Sequence, residues 1–121
     1  MNPFSDHSRF MTACDQTVGV HNPKQMRLYI ALIEEELAEL KTAMGAGDPV
    51  ETLDGIVDVL VTTIGCGLSQ FSVPQLESAW DEVFRSNMSK LHPTTKVAIK
   101  RDDGKVLKGP DYFKPNLRQF V

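Results

Sequence analysis

Residues 48–68 read DPVETLDGIVDVLVTTIGCGL, and this stretch decides the fold. Asp48 is a helix cap and Pro49 stands in the first turn, so a helix starts here and runs to about Leu68. Val50, Leu53, Ile56, Val57, Val59, Leu60, Val61, Ile64 and Leu68 distribute apolar side chains nearly all round it. A helix of that kind is expected to be buried on most sides. Yet Glu51, Asp54 and Asp58 sit at i, i+3 and i+7, within an arc of roughly 60° on the helical wheel. No Lys or Arg lies in the stretch to pair with them. Carboxylates in a mostly buried helix must protonate, pair with basic groups from elsewhere, face solvent or bind metal.

Upstream, residues 25–44 form a second helical pattern, ending at Gly45-Ala46-Gly47. Met26, Tyr29, Ile30, Ile33, Leu37, Leu40 and Met44 share one face. Glu35, Glu36 and Glu39 fall within roughly 100° beside that face, and Glu34 points elsewhere. Taken alone, this is equally legible as a solvated acidic face. The short Gly45–Gly47 connection makes the two helices antiparallel neighbours, so the acidic stripes can oppose each other. Four to six carboxylate oxygens suit a hard cation, Mg²⁺ with Mn²⁺ as a substitute. No histidine is spaced to join them, which weighs against zinc and against a di-iron site.

A helix from Ser5 to about Val18 precedes these two, and one from Ser72 to about Leu91 follows. On the last helix Leu76, Ala79, Trp80, Val83, Phe84 and Leu91 make an apolar face. Asn87 interrupts it and Lys90 lies at its edge. These two either contact phosphate or ribose oxygens or simply satisfy a loop and snorkel to water. Lys96–Lys100 and Lys105–Leu107 flank Asp102-Asp103-Gly104 and predict a short β-hairpin. Lys105 and Lys108 are further phosphate ligands or ordinary surface lysines. The tail, 109–121, is expected to pack along a neighbour.

The 121 residues, 41% hydrophobic, fit one domain spanning 1–121. A net charge of -3 argues against a nucleic-acid polymer as partner, though not against a single nucleotide. Cys14 and Cys66 have no metal-ligand spacing and are expected to be buried. No signal peptide and no run of about 20 apolar residues is present, so a cytoplasmic setting without a membrane partner is expected.

Glu35-Glu36-Leu37-Ala38-Glu39 matches the EExxE motif of the MazG-like, all-α nucleoside triphosphate pyrophosphohydrolases. Their second motif, ExxD, is met literally by Glu51-Thr52-Leu53-Asp54. The run from Asp58 to Gly65 also resembles the apolar stretch after the family's Asp, which puts Gly55 at the Glu position. Both registers stand at this point. Arg85–Leu91 and Asp103–Phe113 resemble a phage and bacterial branch labelled phosphoribosyl-ATP pyrophosphohydrolase-like. The likeness covers about residues 32–117.

The resemblance implies a four-helix MazG-like bundle carrying the C-terminal hairpin and extended tail. It also implies Mg²⁺-dependent cleavage of an NTP or dNTP between the α and β phosphates, giving a monophosphate and pyrophosphate for nucleotide-pool control. Glu35, Glu36, Glu39, Glu51, Asp54 and Asp58 would hold metal, with Glu35 or Glu36 as the base. Asn87, Lys90, Lys105 and Lys108 would hold phosphates. The exit of the first helix, with Phe10, Gln16, His21 and Asn22, would meet the nucleobase; as bare residues, Phe10 reads as core and Gln16 and His21 as surface. The resemblance further implies a homotetramer, a dimer of dimers, in the bacterial cytoplasm or in that of a phage's host. The competing classes are a non-catalytic helical interaction module and a di-metal carboxylate protein.

Overall fold

A computed structural model describes residues 2–121. It contains α1 (Pro3–Ala13), α2 (Pro23–Ala46), α3 (Pro49–Leu68) and α4 (Val73–Met88), followed by a 3₁₀ turn at Arg118–Phe120. The chain is all-α, as expected. The first three helices open alike: Asn2-Pro3, Asn22-Pro23 and Asp48-Pro49 each place a side-chain oxygen on the free N–H groups of the first turn and a proline just after it. Proline lacks the N–H that would otherwise go unpaired there, and its fixed φ suits a helix. Asn2 therefore caps α1 in place of Ser5. Helix α1 also stops at Ala13, short of Val18, because Asp15 turns to φ 59° and the Gln16 N–H reaches back to the Met11 carbonyl.

The chain divides into two compact units, residues up to Leu76 and residues 77–121. In the first, α3 packs against both α1 and α2. Met11, Tyr29 and Leu68 form the buried core, with Val18, Leu32, Ile64, Cys66, Val73 and Leu76 against it. Helices α2 and α3 are antiparallel in a fixed register: Gln25 meets Ser69, Tyr29 meets Gly65, Glu36 meets Asp58 and Leu40 meets Gly55. The α3 face turned to α2 is thus Gly55, Asp58, Thr62, Gly65 and Ser69, a row of small and polar residues. A Cβ on Gly55 would lie 3.1 Å from the Leu40 Cα, and one on Gly65 would sit inside the Tyr29 ring. Glycine at these two positions allows the close approach.

This arrangement corrects the expectation that α3 is buried on most sides. Its large residues point outward: Val50, Leu53, Ile56, Val57 and Leu60 are 45–72% exposed. On α2, Ile30, Leu37 and Met44 are likewise exposed, as is Phe10 on α1, which was expected in the core. Cys14 is exposed and Cys66 half-buried. No single helix among the described residues is long and apolar enough to cross a membrane.

In the second unit the expected β-hairpin does not form. The described residues contain no strand, only an isolated antiparallel bridge between Lys100 and Val106. The turn is real: the Arg101 N–H donates to the Lys105 carbonyl at 2.8 Å, and Gly104 takes φ 90°. Residues 99–108 stay exposed, however, and a two-stranded ribbon without a face to bury is not stable. The tail lies along α4 of its own chain. Ser86 donates to the Phe113 carbonyl at 2.8 Å, the Phe113 N–H donates to Ser89 at 3.1 Å, and the Arg85 guanidinium covers the Phe113 ring at 4.3 Å. Buried Glu82 accepts from both Arg85 and Gln119, at 2.7 and 2.9 Å.

Candidate active site

The acidic residues gather at one point on the α2–α3 seam. Glu36 leaves α2 on the face that continues Gln25 and Tyr29, at spacings of four and seven residues, and so turns toward α3. Asp58 comes from the small-residue face of α3, three residues after the close contact at Gly55. One carboxylate oxygen of Glu36, Oε2, is buried and has no hydrogen-bond partner; among the described residues it is the only buried side-chain polar atom in that position.

Burial raises the Glu36 carboxyl above its ordinary pKa. The negative charges of Glu39 and Asp58, a hydrogen bond with Glu39 and the charge of Glu35 push it further in the same direction. Nothing positive opposes them: the two ion pairs among the described residues are Arg85–Glu82 and Arg101–Asp103. An orphaned oxygen among like charges is what a hard cation relieves, since hard divalent ions take oxygen ligands. The donor set therefore fits Mg²⁺ or Mn²⁺. No three of these side chains among the described residues form a metal-ligating cluster.

The two sequence registers are now distinguishable. Asp58 faces Glu36. Glu51 and Asp54 are exposed, and neither is among the charges that act on Glu36. Glu51 lies in the first turn of α3, where its N–H is taken by the Asp48 cap at 3.1 Å. The structure thus brings together Glu35, Glu36, Glu39 and Asp58, with Gly55 where the second motif would carry Glu.

The other end of the seam holds a polar network that sequence reasoning missed. Gln25 is buried; its amide nitrogen donates to the Thr17 carbonyl (2.8 Å) and to Ser69 Oγ (2.9 Å), and its oxygen accepts from the Thr17 N–H (3.1 Å). Ser69 donates in turn to the Gly65 carbonyl at 2.8 Å. Asn22 caps α2 with its oxygen and donates to Thr17 Oγ1 at 2.8 Å. Of the residues expected at the nucleobase, Asn22 is therefore engaged structurally, and His21 is paired with Gln70 at 3.0 Å. Gln16 accepts from the buried Tyr29 hydroxyl at 2.5 Å and lines a cleft of about 550 Å³ with Asn22, Lys24, Gln25, Arg27 and Leu28. One sequence signal was available: Gln25 stands four residues before Tyr29 on the inward stripe of α2, where a polar residue needs partners.

Asn87, Lys90, Lys105 and Lys108 all belong to the second unit. Asn87 is exposed on the last turn of α4, and Lys90 is half-buried just beyond it. Lys105 and Lys108 are exposed in the loop, the Lys108 ammonium lying 4.9 Å from the Tyr112 ring centre.

A family model, phosphoribosyl-ATP pyrophosphohydrolase, matches residues 7–87. The chain belongs to this family. The family is part of the MazG-like, all-α NTP pyrophosphohydrolase superfamily, so the chain is a MazG-like pyrophosphohydrolase by membership. The matched span contains most of α1, all of α2 and α3 and nearly all of α4, and with them the acidic residues of α2 and α3. Lys90, Lys105 and Lys108 lie outside it. Among curated proteins, none matches this pyrophosphohydrolase.

Proposed function

We propose that the protein is a Mg²⁺-dependent pyrophosphohydrolase that converts a nucleoside or deoxynucleoside triphosphate to the monophosphate and pyrophosphate, in nucleotide-pool control. The observation that carries this reading is the unpartnered Glu36 Oε2 among Glu35, Glu39 and Asp58, within a chain of a pyrophosphohydrolase family.

Glu36, Glu39 and Asp58 would hold the cation, which when bound offsets the charge that develops on the phosphates. Glu35, exposed and one residue before Glu36, takes the proton of the attacking water, whose oxygen bonds to the α phosphorus while the α–β bridging oxygen leaves with pyrophosphate. Asn87, Lys90, Lys105 and Lys108 would bind the leaving phosphates electrostatically. Glu51 and Asp54 have no part in the chemistry on this account. No observation favours the interaction module or the di-metal protein as a second reading.

The working form would be a homotetramer, a dimer of dimers. Val50, Leu53, Val57 and Leu60 form an exposed stripe on α3, and Trp80, Phe84 and Met88 form another on α4. Apolar stripes of this kind mark partner surfaces, and two-fold symmetry is the commonest closure. Light scattering at micromolar concentration should give about four times 13.5 kDa; a stable active monomer would refute the assembly.

Incubation with each NTP and dNTP plus Mg²⁺, followed by separate assays for monophosphate and pyrophosphate, tests the activity. Pyrophosphate appearing in step with monophosphate supports it; orthophosphate as the first product, or no turnover with any triphosphate, contradicts it.

A further inference from the structure

Residues 108–113 read KGPDYF, and within them the chain makes a turn that is anchored at both ends. Pro110, second of the four residues Gly109–Tyr112, presets φ for a β-turn, and the Tyr112 N–H closes it on the Gly109 carbonyl at 3.2 Å. At the entry, Gly109 packs on the chain just beyond α4, where a Cβ would overlap the Lys90 carbonyl oxygen. At the exit, the Phe113 backbone is held from both sides. Ser86, almost wholly buried, donates to its carbonyl, and its N–H donates to Ser89. The Ser89 hydroxyl spends its own proton on the Ser86 carbonyl at 2.5 Å, so its oxygen is free to accept.

This turn carries the half-buried Tyr112 ring back to the exposed side chain that precedes it: the Lys108 ammonium lies 4.9 Å from the ring centre. Asp111 is only three residues from Lys108, yet the ammonium joins neither of the two ion pairs among the described residues. The choice of partner has a chemical consequence. A carboxylate would orient the ammonium and cancel its charge. An aromatic face orients it through the ring quadrupole and leaves the charge for an anion. A lysine side chain loses rotamer freedom when it binds, and holding it beforehand removes part of that cost.

We propose that Tyr112 is a positioning residue: its ring holds the Lys108 ammonium, with its charge uncancelled, for the pyrophosphate that leaves in hydrolysis. Ser86, Ser89 and Gly109 support it by fixing the turn against α4 and the Lys90 backbone. The inference rests on the proposed triphosphate hydrolysis and adds to it the residue that orients one of its phosphate ligands.

The test is a double-mutant cycle in the full chain, read by calorimetric titration with inorganic pyrophosphate. Lys108→Ala should weaken binding about tenfold, the order of one charge-assisted hydrogen bond. Tyr112→Leu removes the aromatic face and should weaken it about two- to fivefold. Tyr112→Phe keeps the face and should bind as the wild type does. In the Lys108→Ala background, Tyr112→Leu should cause no further loss, because the ring acts only through the ammonium. A residue that merely supports the fold would give the same loss in both backgrounds, and that result overturns the proposal. Equal losses in Tyr112→Phe and Tyr112→Leu overturn it too, as does a wild type that binds no pyrophosphate. Hydrolysis is scored separately, by the monophosphate and pyrophosphate assays. A chain that cleaves triphosphates but shows an additive cycle keeps that reading and loses this inference. A chain that cleaves none but shows the non-additive cycle loses the reading and keeps Tyr112 as the residue that positions Lys108 for pyrophosphate.

Discussion

At one end of the α2–α3 seam, Gln25 engages both ends of its amide with Thr17 and Ser69, and Asn22 does the same with Thr17 and the first turn of α2. At the other end, Glu36 leaves an oxygen buried without a partner, among carboxylates with no base near them. The same two helices, in one register, carry both. Buried polar groups ordinarily find partners, so the first end is architecture and the second holds a group whose hydrogen-bonding needs the fold does not meet. The comparison teaches where to look for function: at the group whose needs the fold has not met.

The sharpest way to break this contrast is to neutralise each end. Glu36→Gln and Glu39→Gln should each lower turnover by about two orders of magnitude or more, the scale of lost metal or acid–base assistance. Glu34→Gln should be nearly silent, since Glu34 is exposed and absent from the charges acting on Glu36. Equal losses at Glu34 and Glu36 in steady-state assays would show that the acidic end has been misplaced.

The satisfied end should respond in stability. Gly65→Ala drives a methyl into the Tyr29 ring, and overpacking of this kind costs about 1–3 kcal/mol. Gln25→Ala strands Thr17 and Ser69 and costs a similar amount, about 1–3 kcal/mol. Denaturant midpoints check both. Unchanged midpoints would show the network to be dispensable.

A smaller effect has opposite signs at the two ends. The raised Glu36 pKa means that its ionised form opposes folding; that penalty is complete above the folded pKa and disappears below the ordinary 4.5. In the metal-free protein Glu36→Gln should therefore raise the melting temperature at neutral pH, with the gain vanishing in acid. Burial lowers the His7 pKa, so the folded state resists protonation and stability is lost as pH falls below the ordinary 6.5. His7→Phe should abolish that part of the acid sensitivity. Scanning calorimetry across this range reads both, and parallel pH profiles for the two variants would contradict the assignment.

Much of this could be read from the chain, and the failures have physical causes. Asp48-Pro49 marked the start of α3 to the residue, because cap and proline act locally. The acidic arc was legible on both helices. The choice between Glu51 and Asp58 was not, since residues at i, i+3 and i+7 share one arc and only the close approach of Gly55 to Leu40 sets which turn of α3 faces Glu36. The Gln25 network joins residues 44 apart, beyond any local pattern. Val50 and Leu53 were expected to be buried because hydrophobicity does not distinguish an interior from a surface awaiting a partner. The hairpin residues alternate correctly but have no face to bury.

The central claim is that Glu36, Glu39 and Asp58 together hold the cation. Titrating Mg²⁺ calorimetrically into the wild type, Asp58→Asn and Glu51→Gln tests it most directly. The account predicts saturable binding in the wild type, its loss in Asp58→Asn and near-wild-type binding in Glu51→Gln. Loss in Glu51→Gln with retention in Asp58→Asn, or no Mg²⁺ binding by a wild-type enzyme fully active in excess chelator, would contradict it.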